Sequence, residues 1–168
     1  GRHLLSAALP SGQWDLGVGI ATESLLRVLR TRNARRVVLV SEPNAERAIG
    51  ATIAAALKRA KISVTPLTLK SGESAKQLTV IDDAARTLAA AGIERGDLII
   101  AVGGGALTDT AGLLAALYLR GIDWVAVPTT LAAQLDASLG GKTGVDLPEG
   151  KNLVGAFHQP IAVIADLD

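Results

Sequence analysis

Three glycine-bearing segments combine open backbone with polar side chains in a way that suits an anionic ligand. The first is Gly103-Gly104-Gly105, with Asp109 shortly after it. A strand that runs into glycines and then a helix lets backbone approach a bound phosphate. Free N–H groups and the helix dipole then favour the anion. Asp109 is expected in the first turn of that helix, where a carboxylate is electrostatically comfortable. The spacing is neither G-x-G-x-x-G nor G-x-x-x-x-G-K-[ST]. A tight strand-to-helix turn, with Asp109 merely compensating the dipole, is the competing reading, and these residues alone leave both open.

The second segment is Gly140-Gly141-Lys142-Thr143-Gly144, which offers flexible backbone, an ammonium and a hydroxyl. Lysine is a good point charge for phosphate, although a solvated turn with a surface lysine has the same composition. The third, Gly150-Lys151-Asn152, is similar. Asp136 lies on a mostly apolar stretch with Leu131, Ala132, Ala133, Leu135 and Leu139, so it either faces solvent or is retained for a polar partner. His158, between Phe157 and Gln159-Pro160, reads as a packed, hydrogen-bonded histidine, and His3 as part of a disordered start. No H-x-x-x-H or histidine–carboxylate spacing suggests a metal site in this chain, and no nucleophile elbow is present.

These segments need a scaffold, and the bulk sequence supplies one. The 168 residues carry 49% apolar and 20% charged residues, a globular composition. A formal net charge of +1 with intermixed acids and bases gives no basic field for nucleic acid. The absence of cysteine excludes a disulfide scaffold and fits a reducing, cytoplasmic compartment. No apolar run approaches the roughly 18–20 residues that cross a bilayer. The apolar stretch around Leu4–Leu9 breaks at Pro10-Ser11-Gly12, too early for a signal peptide. The chain contains no methionine and begins Gly1-Arg2-His3, from which an excised piece of a longer protein is expected.

Strand-like and helix-like runs alternate along it. Trp14–Val18 suits an edge strand, and Thr22 an N-cap for a helix through Arg30. Arg36–Val40 is a β-branched run closed by the turn signal Ser41-Glu42-Pro43-Asn44, before helical periodicity over Ala45–Ala60. Ser63–Leu69 alternates as a strand. Ser74–Ala91 reads as one long helix stopped by Gly92. Asp97–Val102 is a buried strand, Leu107–Leu119 a helix, Trp124–Val127 a strand ending at Pro128, and Ile161–Ala165 a last buried strand. Short joins between alternating elements imply parallel strands and right-handed crossovers. The expected fold is α/β, a Rossmann-like, mostly parallel sheet with helices on both faces. Residues 1–168 then form one α/β domain, with a first βα half at 1–70 and a glycine-loop half at 71–128. From Thr129 to Asp168 the periodicity is poor, and this segment is expected to be irregular and to face the ligand.

Taken in order, the segments resemble the 3-dehydroquinate synthase family of sugar-phosphate cyclases. The matching run is Ser71-Gly72-Glu73-Ser74-Ala75-Lys76, then Gly103-Gly104-Gly105-Ala106-Leu107-Thr108-Asp109. It continues through Tyr118-Leu119-Arg120-Gly121, Val127-Pro128-Thr129-Thr130-Leu131 and Asp136. It closes with Gly140–Gly144 and the stretch from Gly150 to Pro160. The resemblance is dense from about Gly72 onward and diffuse before it. It implies an N-terminal NAD-binding domain and a C-terminal helical domain with a zinc or cobalt site. Its ligands, a glutamate and two histidines, would lie beyond residue 168, so a C-terminal metal domain is expected to be absent from this chain. The implied substrate is 3-deoxy-D-arabino-heptulosonate 7-phosphate. NAD transiently oxidises its C5 hydroxyl, phosphate leaves, hydride returns, and an aldol closure gives the carbocycle.

Carried over by position, the resemblance puts Glu73 and Lys76 near the adenosine part of NAD and Gly103–Asp109 at its pyrophosphate. Thr129 and Thr130 match further cofactor contacts, and Glu42 stands where an aspartate often meets a ribose hydroxyl. Asp136, Lys142, Lys151 and Asn152 match residues around nicotinamide and substrate, with Lys142 suited to the phosphate. Arg120 matches an arginine that reaches the substrate of a neighbouring subunit, which implies a homodimer. Ala132, Thr108 and Ala137 depart from the family pattern, and none of these departures removes a charge. Two other readings stay open, a paralogous cyclase with a different sugar phosphate and a noncatalytic dinucleotide-binding module. An iron-dependent polyol dehydrogenase fits Gly140–Gly144 and the 150–160 stretch poorly.

Overall fold

The computed structural model describes residues 2–9, 12–137 and 140–167, without the side chains of residues 4, 9, 136 and 137. Two strands open the chain, β1 (Arg2–Leu9) and β2 (Gly12–Val18), followed by helix α1 (Ala21–Thr31) and strand β3 (Arg36–Ser41). The short helix α2 (Pro43–Ala45) runs through a π turn (Glu46–Gly50) into α3 (Ala51–Arg59), which leads to β4 (Ser63–Thr68). A 3-10 turn (Gly72–Ala75) precedes α4 (Leu78–Ala90), β5 (Leu98–Gly103) and α5 (Gly105–Leu117). After a 3-10 turn (Tyr118–Arg120) come β6 (Asp123–Pro128), a π turn (Ala133–Ala137), β7 (Lys142–Leu147), β8 (Gly150–Phe157) and β9 (Ala162–Asp166).

Seven strands form one sheet in the order β1-β2-β9-β6-β5-β3-β4, and β7 and β8 form a separate antiparallel hairpin. Every pairing in the large sheet is parallel except β1 with β2. The expected Rossmann-like α/β fold is therefore present. Its central strands read as continuous apolar runs because both faces are covered. On one face α1 and α3 pack Leu25, Leu29, Ile53 and Leu57 against Val37, Leu39, Ile100 and Val102. On the other, α4 and α5 pack Ile81, Leu88, Leu107 and Leu114 against Val38, Val40, Ile99 and Trp124. Each fully buried side chain of this size contributes about 1.5–3 kcal/mol.

Several expectations need correction. Trp14–Val18 belongs to β2, which is not an edge strand: β1 covers it on one side and β9 on the other. His3, expected to be disordered, lies in β1 opposite Gly17. Thr22 does not cap α1. The cap comes from far along the chain, where Asp166 accepts the Gly19 and Ala21 N–H groups at 2.6 and 2.8 Å. The single helix expected over Ser74–Ala91 is divided, because Gln77 is extended (φ −136°, ψ 145°) between the 3-10 turn and α4. The segment after Thr129 is not irregular. It holds β7, β8 and β9.

α5 lies between the sheet and the β7–β8 hairpin. A Cβ at Gly112 would strike Thr143 Cγ2 and the Trp124 ring, and one at Gly155 would strike the Thr143 carbonyl. Glycine at 112 lets the helix approach hairpin and sheet closely, and glycine at 155 lets the two hairpin strands do the same.

Candidate functional site

β3 leads outward to β4, whereas β5, its neighbour on the other side, leads through α5 to β6. Connections diverge here, and the crevice at the carboxyl ends of such strands is the usual ligand position of doubly wound sheets. Glu42 follows β3 and Gly103-Gly104-Gly105 ends β5, so both stand at this switch point.

A close backbone approach fits the triple glycine. A Cβ on Gly103 would meet Leu107 Cβ at 2.9 Å and Glu42 Oε1 at 3.1 Å, and one on Gly104 would meet Thr130 Cγ2 at 3.3 Å. The first helical bond of α5 runs from Thr108 N–H to the Gly104 carbonyl at 3.0 Å. The N–H groups of Gly105, Ala106 and Leu107 therefore precede the helical ladder, as first-turn donors do. No side chain among the described residues caps them. These donors suit a dinucleotide pyrophosphate. Gly104 N–H is not free, since it donates to Glu42 Oε1 at 3.0 Å. Thr129 N–H donates to the Gly103 carbonyl at 2.9 Å, and Thr130 Oγ1 accepts Ala133 N–H at 3.3 Å, so Thr129 and Thr130 border the same turn.

Asp109 is the fifth residue of α5, beyond the first turn in which it was expected. Asp109 Oδ2 accepts from Lys76 Nζ at 3.0 Å. Lys76 is almost entirely buried and also donates to Asn152 Oδ1, with Asp146 Oδ1 3.9 Å away. Burial raises the Asp109 carboxyl above its ordinary value despite the hydrogen bond and charge of Lys76. The Asn152 backbone N–H, more than any other group, holds Asp146 below its ordinary value, with help from Glu73, Lys76 and Lys151.

Asp109, Lys142, Thr143, Asn152 and Phe157 line a cavity of about 520 Å³ between α5 and the hairpin. The hairpin contributes Lys142 at the start of β7 and Asn152 within β8. Lys151 Nζ lies 3.9 Å from Glu73 Oε2 in a largely exposed pair. Ser71, Gly72, Ser74 and Ala75 frame Lys76. Gly72 takes φ +68°, and the Ser74 hydroxyl donates to the Ser71 carbonyl at 2.8 Å. Lys76, which resemblance puts beside adenosine, thus stands with Asp109 and Asn152.

Arg120 is not brought to this cavity within one chain. α5 is 13 residues long, roughly 20 Å at 1.5 Å per residue, and it carries the chain from the carboxyl end of β5 back towards the amino end of β6. There Leu119 and Arg120 take φ +50° and +64°, and Arg95 donates to the Leu119 carbonyl at 2.9 Å. The Asp136 side chain lies outside the described residues. A His158 ring nitrogen lies 2.8 Å from the Ile122 carbonyl, a packed histidine as the sequence suggested. Among the described residues no three His, Cys, Asp or Glu side chains cluster as a metal site, and no helix is long and apolar enough to cross a membrane.

Sequence reasoning missed Asp146 as a member of this cluster. The available signal was the turn Leu147-Pro148-Glu149-Gly150, whose flanks alternate weakly enough to escape notice as a hairpin.

A family profile described as 3-dehydroquinate synthase N-terminal matches residues 66–168. The 3-dehydroquinate synthase of Caulobacter vibrioides (strain NA1000 / CB15N) is 47% identical over 154 residues, 91% of this chain and 42% of its own length. A 2-deoxy-scyllo-inosose synthase solved with carbaglucose-6-phosphate, NAD+ and Co2+ superposes with TM-score 0.83 at 28% identity, covering 98% of this chain and 46% of its own. The 2-epi-5-epi-valiolone synthase of Streptomyces hygroscopicus subsp. jinggangensis 5008, solved with NAD+ and Zn2+, gives TM-score 0.80 at 30% identity, covering 95% of this chain and 44% of its own. The chain spans less than half the length of the relative and structures named here. With the profile matching well over half of its residues, it belongs to the 3-dehydroquinate synthase family.

Proposed function

We propose that this chain is the NAD-binding part of an enzyme that converts 3-deoxy-D-arabino-heptulosonate 7-phosphate to 3-dehydroquinate and phosphate. That reaction is a carbon–oxygen lyase step of the shikimate pathway to aromatic amino acids. The observation that carries this reading is the junction of two features at the carboxyl end of one central strand. A glycine turn with unladdered N–H donors adjoins a helix whose Asp109 faces a lysine-bearing cavity. The 47% identity to a 3-dehydroquinate synthase favours this substrate over those of the cyclases matched at 28% and 30%.

NAD, when bound, supplies reversible hydride acceptance at the substrate carbinol. The chain's own residues do the rest of the work on this side of the cleft. The amides of Gly105, Ala106 and Leu107 hold the pyrophosphate, and Glu42 has a second carboxylate oxygen to offer a ribose hydroxyl. Thr129 and Thr130 shape the adjoining wall. Lys142, a fixed positive charge on the cavity wall, orients the substrate phosphate, and its attraction grows as charge develops on the departing group. Asn152 supplies a polar contact for substrate, Lys151 lends positive charge at the rim, and Asp136 is assigned to a reacting hydroxyl. Arg120, just before β6 at the opposite end of the strands, serves the site of a second copy in a homodimer. Zinc or cobalt belongs to the remainder of the enzyme, and the cysteine-free composition suits the cytoplasm.

Calorimetric titration of this chain with NAD is expected to show saturable heat and a raised melting temperature. Phosphate release from the heptulosonate phosphate is expected only from a longer protein that includes the metal-binding part. No heat and no thermal shift at saturating NAD would count against the assignment.

A further inference from the structure

The β7–β8 hairpin departs from regular pairing at one place. Val145 pairs with Val154 and Leu147 with Gly150, so Asp146 alone on β7 faces Lys151, Asn152 and Leu153 on β8. Extra residues on one strand bend it and re-aim side chains, and such bulges gather beside active sites. Asn152 takes φ +56° within this bulge, a left-handed conformation that side chains other than Asn, Asp and Gly seldom adopt.

Asp146 holds both sides of the irregularity. One carboxylate oxygen accepts the Asn152 N–H at 2.8 Å, and its own N–H donates to the Lys76 carbonyl at 2.9 Å. The same oxygen lies 3.9 Å from Lys76 Nζ. Held this way, Asn152 turns its side-chain oxygen to the Lys76 ammonium, which also holds Asp109 on the opposite wall. Asp109 and Asn152 line the same cavity as Lys142.

We propose that Asp146 is a positioning residue, whose bond to the Asn152 amide fixes the bulge and thereby sets Asn152, Lys76 and Asp109 for the ligand. The inference rests on the functional reading above, because it takes this cavity to be part of the cofactor and substrate site. It gives Asp146 no contact with substrate. What the residue contributes is an acceptor oxygen at one distance from one amide.

Three variants separate this role from a general brace or a bulk charge. Asp146→Ala removes the acceptor, Asp146→Asn keeps an acceptor oxygen without the charge, and Asp146→Glu keeps the charge but displaces the oxygen by a methylene. NAD affinity by calorimetry and amide hydrogen exchange at Asn152 by NMR are measured on each. The Ala and Glu variants are expected to bind NAD on the order of fivefold more weakly and to exchange the Asn152 amide on the order of tenfold faster. The Asn variant should match the parent in both.

Equal affinity and exchange in all three would overturn the proposal, as would a parent-like Glu variant beside a weakened Asn variant. A lowered melting temperature with unchanged affinity and Asn152 exchange would reduce Asp146 to a brace and overturn it too. If the Ala variant does not fold, the Asn and Glu pair decides. If the parent chain fails to bind NAD, the functional reading falls, and amide exchange decides this inference independently.

Discussion

Asp15 and Asp109, two of the acidic side chains drawn into the body of this domain, are treated in opposite ways. Asp15, on β2, is fully buried and receives hydrogen bonds from Ser6 at 2.6 Å and Gln13 at 2.8 and 2.9 Å, with Arg27 at 3.2 Å. Burial pushes its carboxyl up, but Ser6, Gln13, Ser24 and Arg27 together bring it below the ordinary value of 3.8. Asp109, on α5, is less deeply enclosed, with 21% of its side chain exposed, yet Lys76 is the one side chain among the described residues that donates to it. There burial wins, and the carboxyl is raised above 3.8. A carboxylate given all its donors ties a hairpin to a helix. One with a single side-chain donor lines a cavity and stays above its ordinary value. Carboxyls of that second kind are candidates for function.

The contrast is sharpest in its expected consequences for stability. Asp15→Ala strips an acceptor from Ser6, Gln13 and Ser24 and a counter-charge from Arg27. Arg27 is half-exposed and regains water, so the loss comes mostly from the neutral donors. About 1–3 kcal/mol is expected for buried groups left unpaired, with the melting temperature falling about 2–4 °C per kcal/mol in a domain of this size. NAD affinity of the folded protein should stay unchanged. Asp109→Ala should reverse the pattern, because Lys76 keeps Asn152 as a partner. Its melting temperature should move by less than that of Asp15→Ala, while NAD binding weakens about tenfold, near 1.4 kcal/mol. Thermal melts and calorimetry on both variants test the pair. An Asp109→Ala protein that binds like the parent would erase the distinction.

How far the sequence foretold these two regions depends on the kind of signal each gives. Val37–Val40 and Leu98–Val102 are apolar on both faces, and such runs announce central parallel strands. The glycine turn after β5 was legible for the same reason, since the strand before it was. β1 escaped notice because its residues, Ser6, Ala7 and Ala8 among them, are small and weakly patterned. The β7–β8 hairpin escaped because it meets α5 at Thr143 and Gly112 and its own strands meet at Gly155, and close approach of small residues leaves no hydrophobic period. The cap on α1 and the Lys76 cluster rest on separations of 147 and 76 residues. Local propensity carries no trace of either contact. The sequence draws attention to Asp109, but its environment depends on Lys76 and the hairpin, which motif spacing cannot place.

Acid titration should set the two carboxyls apart by sign. The stabilisation linked to Asp15 is full above its unfolded value and is lost as pH falls through its lower folded value. Asp109 runs the other way: its linked contribution is full below the unfolded value and is lost as pH rises through its higher folded value. Replacement of Asp109 by Asn should therefore favour stability more at neutral pH than below 3.8, and replacement of Asp15 by Asn should cost less in strong acid than at neutrality. Carboxyl carbon NMR over the acid range should show Asp109 protonating first as pH falls and Asp15 only at lower pH. Coincident midpoints would dissolve the comparison.

The smallest effect belongs to the rim of the site. Lys151 and Glu73 stand 3.9 Å apart with 74% and 58% of their side chains exposed. Solvent screens such a pair, and exposed ion pairs contribute about 0–1 kcal/mol. Lys151→Ala should thus leave the melting temperature nearly unchanged, unlike Asp15→Ala. Its charge nevertheless sits next to Asn152 on the bulge, within the reach of an anionic cofactor or substrate. At low ionic strength NAD binding should weaken by a few-fold. The difference from the parent should shrink as salt shortens the Debye length to about 8 Å near 0.15 M and further beyond. Asp109→Ala, acting inside the cavity where screening is weak, should keep most of its deficit across the same salt series. Calorimetry at two ionic strengths separates them. A salt-independent loss in Lys151→Ala would mean that Lys151 belongs with the buried cluster and not with the exposed rim.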